Sequence, residues 1–155
     1  MIVLVAGATG ALGTAIVRLL RARDHSVVAL VRTSSEHQKV ADFKKLGISI
    51  VYGDLKDADT LTRACGNVDA VISTVTMVLT AQPGDSFAAT DGAGTKNLID
   101  ASRAAGVGHF VFVSFDTSVV PDCPLASAKK EAEEHLIHSG LTYTILHPTP
   151  FMESW

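Results

Sequence analysis

The sequence contains few cysteines, and their scarcity excludes some classes of protein. Its only two cysteines, Cys65 and Cys123, lie far apart and not in a metal-binding spacing. Such usage argues against a disulfide scaffold and a cysteine-based metal site, and it is typical of a reducing compartment. We therefore predict two ordinary thiols, buried or half-buried.

An excess of positive charge is also missing. The chain carries 13 Lys and Arg against 16 Asp and Glu, for a net charge of −3, and its cations do not cluster along the sequence. A phosphate backbone would demand such a cluster. The sequence therefore argues against nucleic acid as a partner.

Long apolar runs are absent as well. The longest one after the first predicted strand, residues 68–81, is interrupted by Asp69, Ser73, Thr74 and Thr76. It is too short and too polar to span a bilayer. No basic leader with a small-residue cleavage site precedes the first apolar segment. We expect no membrane contact and a cytoplasmic protein.

The sequence does contain the pattern of an α/β domain. With 155 residues and 47% hydrophobic content it is long enough for one sizeable core, so we expect a single domain over residues 1–155. Short β-branched runs alternate with amphipathic segments, as parallel strands joined by crossover helices require. Strands are predicted over residues 2–6, 26–31, 48–54, 68–75, 109–114 and 142–147.

Cap and stop signals place helices between these strands. The first helix carries an apolar stripe that begins at Leu12, and the second opens with a capping box of Ser35 and Gln38. The other three are predicted over residues 57–66, 85–105 and 126–139. Right-handed crossovers between these elements predict a doubly wound parallel sheet, a Rossmann fold with strand order 3-2-1-4-5-6 and helices on both faces. Ligands of such sheets collect at the carboxyl ends of the strands.

The segment GATGALG, residues 7–13, lies between the first strand and the first helix. Glycines at this spacing allow a sharp turn, a close approach of the backbone to a pyrophosphate, and packing of the helix on the sheet. The free N–H groups and the positive dipole end of the helix then favour phosphate. We predict that the turn binds a dinucleotide cofactor through Gly7, Thr9, Gly10, Ala11, Leu12 and Gly13.

The second strand ends at Arg32, where an NAD-preferring site commonly has an Asp or Glu for the ribose hydroxyls. A guanidinium there suits a 2′-phosphate, and Ser34 and Ser35 add hydroxyl groups nearby. We therefore predict a preference for NADP(H) over NAD(H). The alternative is a solvated surface arginine at a strand end.

Further cofactor contacts are predicted at the ends of the third and fourth strands. Asp54 and Leu55 are placed to meet the adenine, with a helix cap and a packing residue as the alternative. The backbone of Ser73, Thr74 and Val75 is expected to line the path of the cofactor's middle.

At this point the chain resembles a known family, the NmrA-like, NAD(P)H-binding group of atypical short-chain dehydrogenases/reductases. The similar segments cover nearly the whole chain: GATGALG, VR at 31–32, GDL at 53–55, GTKNLIDASRAAGVGHFVFVS from Gly94, AKKEAEEHL from Ala128 and SGLTYTILHPTPFME from Ser139. The resemblance implies a Rossmann-type fold that prefers NADP(H). It also implies either reduction of a small electron-poor acceptor such as a quinone or carbonyl compound, or redox sensing through a protein partner without turnover.

Ordinary short-chain reductases use a Tyr as proton donor and a Lys, four residues later, that holds the nicotinamide ribose. The resemblance places Lys129 at the lysine position, but Leu125 stands at the tyrosine position and Asp116 near that of the usual Ser or Thr. The usual proton donors are therefore missing, and Lys129 is the sole catalytic candidate. Its alternative is an exposed helix lysine paired with Glu133.

Other residues are assigned by the same resemblance. His147 replaces the arginine of the family's ILRP segment, and Pro148 is expected to pass close to the nicotinamide. Tyr52 and Tyr143 lie within strands and are predicted to be packing residues.

Two further features concern metal and length. His135 and His138 stand three residues apart on a helix, and we predict a solvated face there and no metal site. Relatives continue well past FME, so the chain resembles either a truncated domain or a minimal cofactor-binding module. In the latter case Phe151, Met152 and Trp155 are candidate interface residues, and a homo-oligomer stays open.

Overall fold

The fold is a parallel sheet between two layers of helices, and the computed structural model describes it over residues 1–78, 81–116 and 122–149. Six strands pair in the order β3-β2-β1-β4-β5-β6. They are β1 (Ile2–Ala6), β2 (Ser26–Val31), β3 (Ser49–Tyr52), β4 (Ala70–Ser73), β5 (His109–Val113) and β6 (Tyr143–Leu146). All neighbours are parallel, so the predicted Rossmann strand order is confirmed.

The helices alternate with these strands along the chain. The α-helices are α1 (Ala11–Ala22), α2 (His37–Lys45), α3 (Ala58–Cys65), α4 (Thr95–Ala104) and α5 (Pro124–Ile137), and a π-helix (Phe87–Gly94) leads into α4. None of the helices in these described ranges is long and apolar enough to cross a bilayer.

Both faces of the sheet are buried, which explains the unbroken apolar run of β1. Val3 and Val5 lie in a core with Phe43 of α2, whereas Leu4 and Ala6 lie in a second core on the other face. The first core also includes Val17 of α1, and the second includes Leu61, Leu98 and Leu136 of α3, α4 and α5. Each such buried Val or Leu stabilises the fold by about 1.5–3 kcal/mol. The prediction of helices on both faces is thus confirmed.

The long helix predicted over residues 85–105 is wrong in its first half. The chain enters a helix only after Ser86, whose hydroxyl accepts from the amide of Ala89, and residues 87–94 wind as a π-helix. Gly94 lies so close to Leu55 that a Cβ there would be 2.8 Å from the Leu55 Cβ. The Asp91 side chain of this π-helix is buried, which short sequence patterns do not reveal.

The capping box predicted at Ser35 and Gln38 is wrong as well. The Ser35 amide instead closes a turn on the Arg32 carbonyl, and the Gln38 side chain bonds to Asp42 one turn later. The N-cap of α2 is Glu36, without a side-chain cap bond. The fifth helix begins at Pro124, two residues before the predicted start, because a proline fits the first helical turn.

Candidate functional site

The glycine turn between β1 and α1 packs tightly against the end of β4. Gly7 has a φ of +80°, and a Cβ there would lie 2.6 Å from the Thr74 hydroxyl oxygen. A Cβ on Gly13 would lie 2.1 Å from the Gly7 carbonyl oxygen. The protein's own packing therefore requires glycine at both positions. Gly10 differs, because among the described residues its Cβ would meet only the Gly7 carbonyl oxygen, at 3.3 Å.

The start of α1 offers hydrogen-bond donors beside this open space. Gly10 is the N-cap and brings no side-chain cap, and the first turn of α1 holds no acidic residue. The first N–H groups of a helix have no partner within it, so those of Ala11 and Leu12 are left for another acceptor. Together with the positive end of the helix dipole, the turn fits a pyrophosphate.

A lysine that the sequence analysis missed also reaches the turn. The Lys39 ammonium, from α2, donates to the Thr9 carbonyl at 3.1 Å and lies 3.3 Å from the Glu36 carboxylate. Thirty residues separate Lys39 from Thr9, and the packing of α2 beside α1 alone brings them together.

The segment after β4 is bonded to the glycine turn. The Thr74 amide and hydroxyl both donate to the Ala6 carbonyl, at 3.0 and 3.2 Å, and the hydroxyl also lies 3.3 Å from the Gly7 carbonyl. Ser73 is fully buried, and its hydroxyl has no partner among the described residues. The fold thus brings residues 73–75 beside the turn, as expected for a backbone path, while their contact with a cofactor stays a prediction.

Arg32 lies in a cluster of charges, which we call the charged corner and define as Arg32, Lys56 and Asp85. The Asp85 carboxylate accepts from the Arg32 guanidinium at 2.8 Å and from the Lys56 ammonium at 2.6 Å. The Asp85 side chain is 1% exposed, whereas those of Arg32 and Lys56 are 28% and 34% exposed. The carboxylate is thus enclosed, and both cations reach the surface.

Asp85 is strongly held as an anion. Burial by itself would raise the pKa of its carboxyl, but hydrogen bonds from Lys56, the Gln82 amide and Arg32 outweigh burial and lower the pKa from 3.8 to about 2. The hydrogen bond to Asp85 in turn raises the pKa of the Lys56 ammonium above its ordinary value. The Arg32 guanidinium is thus partly exposed and bonded to Asp85, and its predicted contact with a 2′-phosphate stays a prediction.

Asp54 and Leu55 both have roles within the protein. Asp54 accepts from the Lys56 amide at 2.9 Å, and its carboxylate lies 3.9 Å from the Lys56 ammonium. Leu55 is buried in the core against Gly94, and its carbonyl accepts from the Asn97 side chain at 3.0 Å. The helix-cap alternative for Asp54 is wrong, because the N-cap of α3 is Asp57, whereas the buried Leu55 fits the packing alternative. The predicted adenine contact stays a prediction.

Lys129 is not the exposed lysine that the alternative described. Its side chain is 3% exposed, and its ammonium lies 3.2 Å from the Asp91 carboxylate, which is 0% exposed. The ammonium also donates to the Val75 carbonyl at 2.7 Å, and Asp91 accepts from the Met77 amide at 3.2 Å. We call Lys129 and Asp91, with the backbone of Val75 and Met77, the buried clamp.

The buried clamp joins α5 and the π-helix to the segment after β4. Burial lowers the pKa of the Lys129 ammonium, although the charges of Asp91 and Glu133 oppose this effect. The ammonium also lies 5.0 Å from the centre of the Phe112 ring. The ribose role of Lys129 stays a prediction.

Glu133, the partner proposed for Lys129, bonds elsewhere. Its carboxylate accepts a hydrogen bond from the Ser114 hydroxyl, just beyond β5, and lies 2.9 Å from the His147 ring, just beyond β6. His147 thus stands at the carboxyl edge of the sheet. Pro148, next to it, is half-buried, and its predicted place close to the nicotinamide stays a prediction.

The remaining predicted residues can be placed briefly. Leu125 and Asp116 are both half-buried, and Asp116 has a polar contact of its own. Tyr52 and Tyr143, predicted to pack, are instead exposed, because β3 and β6 are the two edge strands. Phe151, Met152 and Trp155 lie outside the described residues.

His135 and His138 make separate contacts on α5. The His135 ring lies 2.9 Å from the Asp100 carboxylate, and the His138 ring bonds to the Glu134 carbonyl at 2.7 Å. Within residues 1–78, 81–116 and 122–149, no three His, Cys, Asp or Glu side chains come together as a metal ion would need.

Comparison with known proteins identifies the family to which the chain belongs. The sequence model of a family described as NAD(P)H-binding matches residues 7–154 of this chain. A photosystem II assembly factor, Ycf39 of Synechocystis sp., is 40% identical over 99% of this chain and 46% of its own length. An NAD(P)H azoreductase of Xenophilus azovorans is 32% identical over 98% of this chain and 49% of its own length.

A solved structure is similar as well. It is the NADPH-dependent quinone oxidoreductase QOR2 of Escherichia coli in complex with NADPH, 27% identical, with a TM-score of 0.74 over 95% of this chain and 48% of that one. The chain thus spans about half the length of the curated relatives it matches.

Proposed function

The chain belongs to the NAD(P)H-binding family of Rossmann-fold proteins, in the group of atypical short-chain dehydrogenases/reductases, and on this premise we propose that it binds NADP(H) and reduces a small electron-poor acceptor. The observation that carries the proposal is the glycine turn. Gly10 leaves open space beside the uncapped N–H groups of α1, and this is where a pyrophosphate is held in such folds.

Each part of the cofactor has proposed partners in the chain. Residues 9–13 hold the pyrophosphate, Arg32 binds the 2′-phosphate, and Asp54 and Leu55 border the adenine. The backbone of residues 73–75 lines the middle. At the nicotinamide end, Lys129 binds the nicotinamide ribose, as the resemblance implies, and Pro148 lies close to the nicotinamide. The bond from Lys129 to the Val75 carbonyl supports a fixed position for its ammonium.

The acceptor class follows from what the chain lacks near that end. When bound, NADPH supplies a hydride. Leu125 carries no acidic hydrogen to accompany it, so an acceptor that water can protonate suits the chain better than an ordinary ketone. Two similar proteins, one named as a quinone oxidoreductase and the other as an azoreductase, support a quinone or another conjugated compound as the acceptor.

A second candidate is a non-catalytic NADP(H) sensor that acts through a protein contact. The 40% identity to a relative named as an assembly factor favours it, as does the missing tyrosine. In this case cofactor binding would stabilise one conformation and change the affinity for a protein partner.

We also propose one Rossmann domain over residues 1–155, in a reducing compartment such as the cytoplasm. Cys65 and Cys123 support this compartment, because both are free thiols, the first buried and the second half-buried as expected.

The experiment is a calorimetric titration with NADPH and NADH, followed by an absorbance assay of NADPH oxidation. We expect tighter binding of NADPH, and oxidation with a quinone but not with an aldehyde. Tight binding without turnover of a quinone, an azo dye or an aldehyde would favour the sensor. Failure to bind either cofactor would overturn both candidates.

A further inference from the structure

The charged corner contains a second cation and a buried carboxylate in addition to Arg32. Asp85 holds Arg32 through one carboxylate oxygen and Lys56 through the other. The same two oxygens accept from the Gln82 amide at 3.0 Å and from the Thr90 hydroxyl at 3.3 Å. Both cations are therefore fixed by one buried anion.

The positions of these residues match the adenosine end of the proposed cofactor site. Arg32 follows β2, and Lys56 follows the segment after β3, which is the neighbour of β2 in the sheet. In a Rossmann fold the group on the adenosine ribose lies at the carboxyl end of the second strand. The exposed parts of Arg32 and Lys56 thus flank the same point.

The charge balance decides how strongly this point favours phosphate. Asp85 lies between two cations, Arg32 and Lys56, and neutralises one of their two positive charges. The carboxylate of Asp54, partly exposed and 3.9 Å from the Lys56 ammonium, reduces the remaining positive charge further. A phosphate monoester carries about −1.5 to −2 charges at pH 7, whereas the corresponding hydroxyl of NADH is neutral. A change of charge here therefore alters NADPH binding and leaves NADH binding nearly unchanged.

We propose that Asp85 sets the selectivity between NADP(H) and NAD(H) by cancelling one of the two charges that Arg32 and Lys56 present to the 2′-phosphate. Lys56 is thereby the second phosphate-binding cation. The inference rests on the proposed function, because it requires that a dinucleotide binds at this edge of the sheet.

The test measures the ratio of the NADH and NADPH dissociation constants in matched variants. Asp85→Asn keeps an oxygen for the Gln82 amide and removes one negative charge, so we expect this ratio to rise about three- to tenfold. Lys56→Gln should lower the ratio by a similar factor, and Lys56→Arg should preserve it. In the double variant Asp85→Asn/Lys56→Gln the two charge changes cancel, and the ratio should return to near the wild-type value.

Controls separate the charge effect from other causes. Asp24→Asn makes the same chemical change at an exposed turn just before β2, at the opposite end of that strand, and should leave the ratio unchanged. The gain in Asp85→Asn should shrink as salt is added, because screening weakens exposed charges. Circular dichroism checks that each variant is folded, and Lys56→Gln tests the proposal even where Asp85→Asn does not fold.

The outcomes distinguish this inference from the proposed function. A selective loss of NADPH affinity in Asp85→Asn, or an unchanged ratio in Lys56→Gln, would overturn the inference. If Arg32→Ala in that case still weakens NADPH binding and leaves NADH binding nearly unchanged, the proposed cofactor site stands. Equal losses of both cofactors in Arg32→Ala would instead show that this corner does not bind the phosphate.

Discussion

The charged corner and the buried clamp both hold a carboxylate against a lysine, but they do so at different depths. In the charged corner only Asp85 is enclosed, and Arg32 and Lys56 are 28% and 34% exposed. In the buried clamp both Lys129 and Asp91 are enclosed, at 3% and 0%. The first arrangement keeps its cations partly at the surface, while the second uses its charge to hold backbone segments together. The two clusters therefore differ in the depth of their charges more than in residue type.

The largest expected effect is on the buried clamp. Lys129→Met leaves the Asp91 carboxylate buried without its cation, and we expect the free energy of unfolding to fall by about 3–5 kcal/mol. Urea unfolding measures this change. Lys130→Met, at the exposed neighbour, is the matched control and should cost less than about 0.5 kcal/mol. A loss below about 1 kcal/mol for Lys129→Met would mean that water reaches Asp91 easily.

The glycine turn also contains a crowded position, Gly13, and an open position, Gly10. Gly13→Ala pushes a Cβ to within 2.1 Å of the Gly7 carbonyl oxygen, and we expect a loss of about 2–3 kcal/mol in unfolding free energy. Gly10→Ala, at 3.3 Å from the same oxygen, should cost less than about 1 kcal/mol and instead weaken both cofactors alike. Thermal unfolding and calorimetric titration of the two variants give both readouts. Equal stability losses would remove the distinction.

Arg32→Ala should give the opposite signature to Lys129→Met. Charge-assisted hydrogen bonds to a phosphate are worth about 1.5–3 kcal/mol, so NADPH affinity should fall about ten- to a hundredfold with NADH little changed. Stability should change by no more than about 1 kcal/mol, because the guanidinium is partly exposed. Titration with both cofactors and urea unfolding check the two parts, and a large stability loss without a change in selectivity would make Arg32 a structural residue.

The smallest expected effect is the acid sensitivity of the charged corner. Hydrogen bonds to Asp85 outweigh its burial and lower its pKa from 3.8 to about 2, so the folded protein keeps this carboxylate ionised where the unfolded chain binds a proton. Its stabilisation is complete above pH 3.8 and is lost as the pH falls towards 2. We expect a loss of about 1–2 kcal/mol after allowance for solvent screening. Urea unfolding of the wild type and of Asp85→Asn across this range measures it, and parallel pH curves would contradict it.

Much of the fold was predictable because it depends on local patterns. Apolar runs such as that of β1 and the glycine turn after it lead to a parallel sheet in one strand order, and the structure confirms that order. The π-helix was not predictable, because residues 87–94 contain three alanines but also two glycines, and such a short pattern does not distinguish a π-helix from an α-helix. The exposed positions of Tyr52 and Tyr143 likewise depend on which strands lie at the sheet edges.

The candidate site was predictable in part for the same reason. Gly7 and Arg32 follow strands directly, and Gly13 lies in the first turn of the helix that follows, so their place at the carboxyl edge follows from the strand order. Lys39 and Asp85 were missed, because they lie far along the chain from their partners Thr9 and Arg32. Lys56 was missed although it directly follows Leu55, because its pairing with Asp85 depends on the fold. The burial of Lys129 was also unpredictable. Its partner Asp91 lies on another helix, and the sequence around either residue does not indicate that its side chain is buried.

The sequence by itself determined the strand order, the family and the glycine turn, because hydrophobic periodicity and tight turns are properties of neighbouring residues. Only the tertiary structure decided which charges meet and how deeply each is buried. Asp85 is 53 residues from Arg32 and 29 from Lys56, and the energy of an ion pair depends on distance and solvent exposure in space. The fold therefore gave this chain its charged corner and its buried clamp.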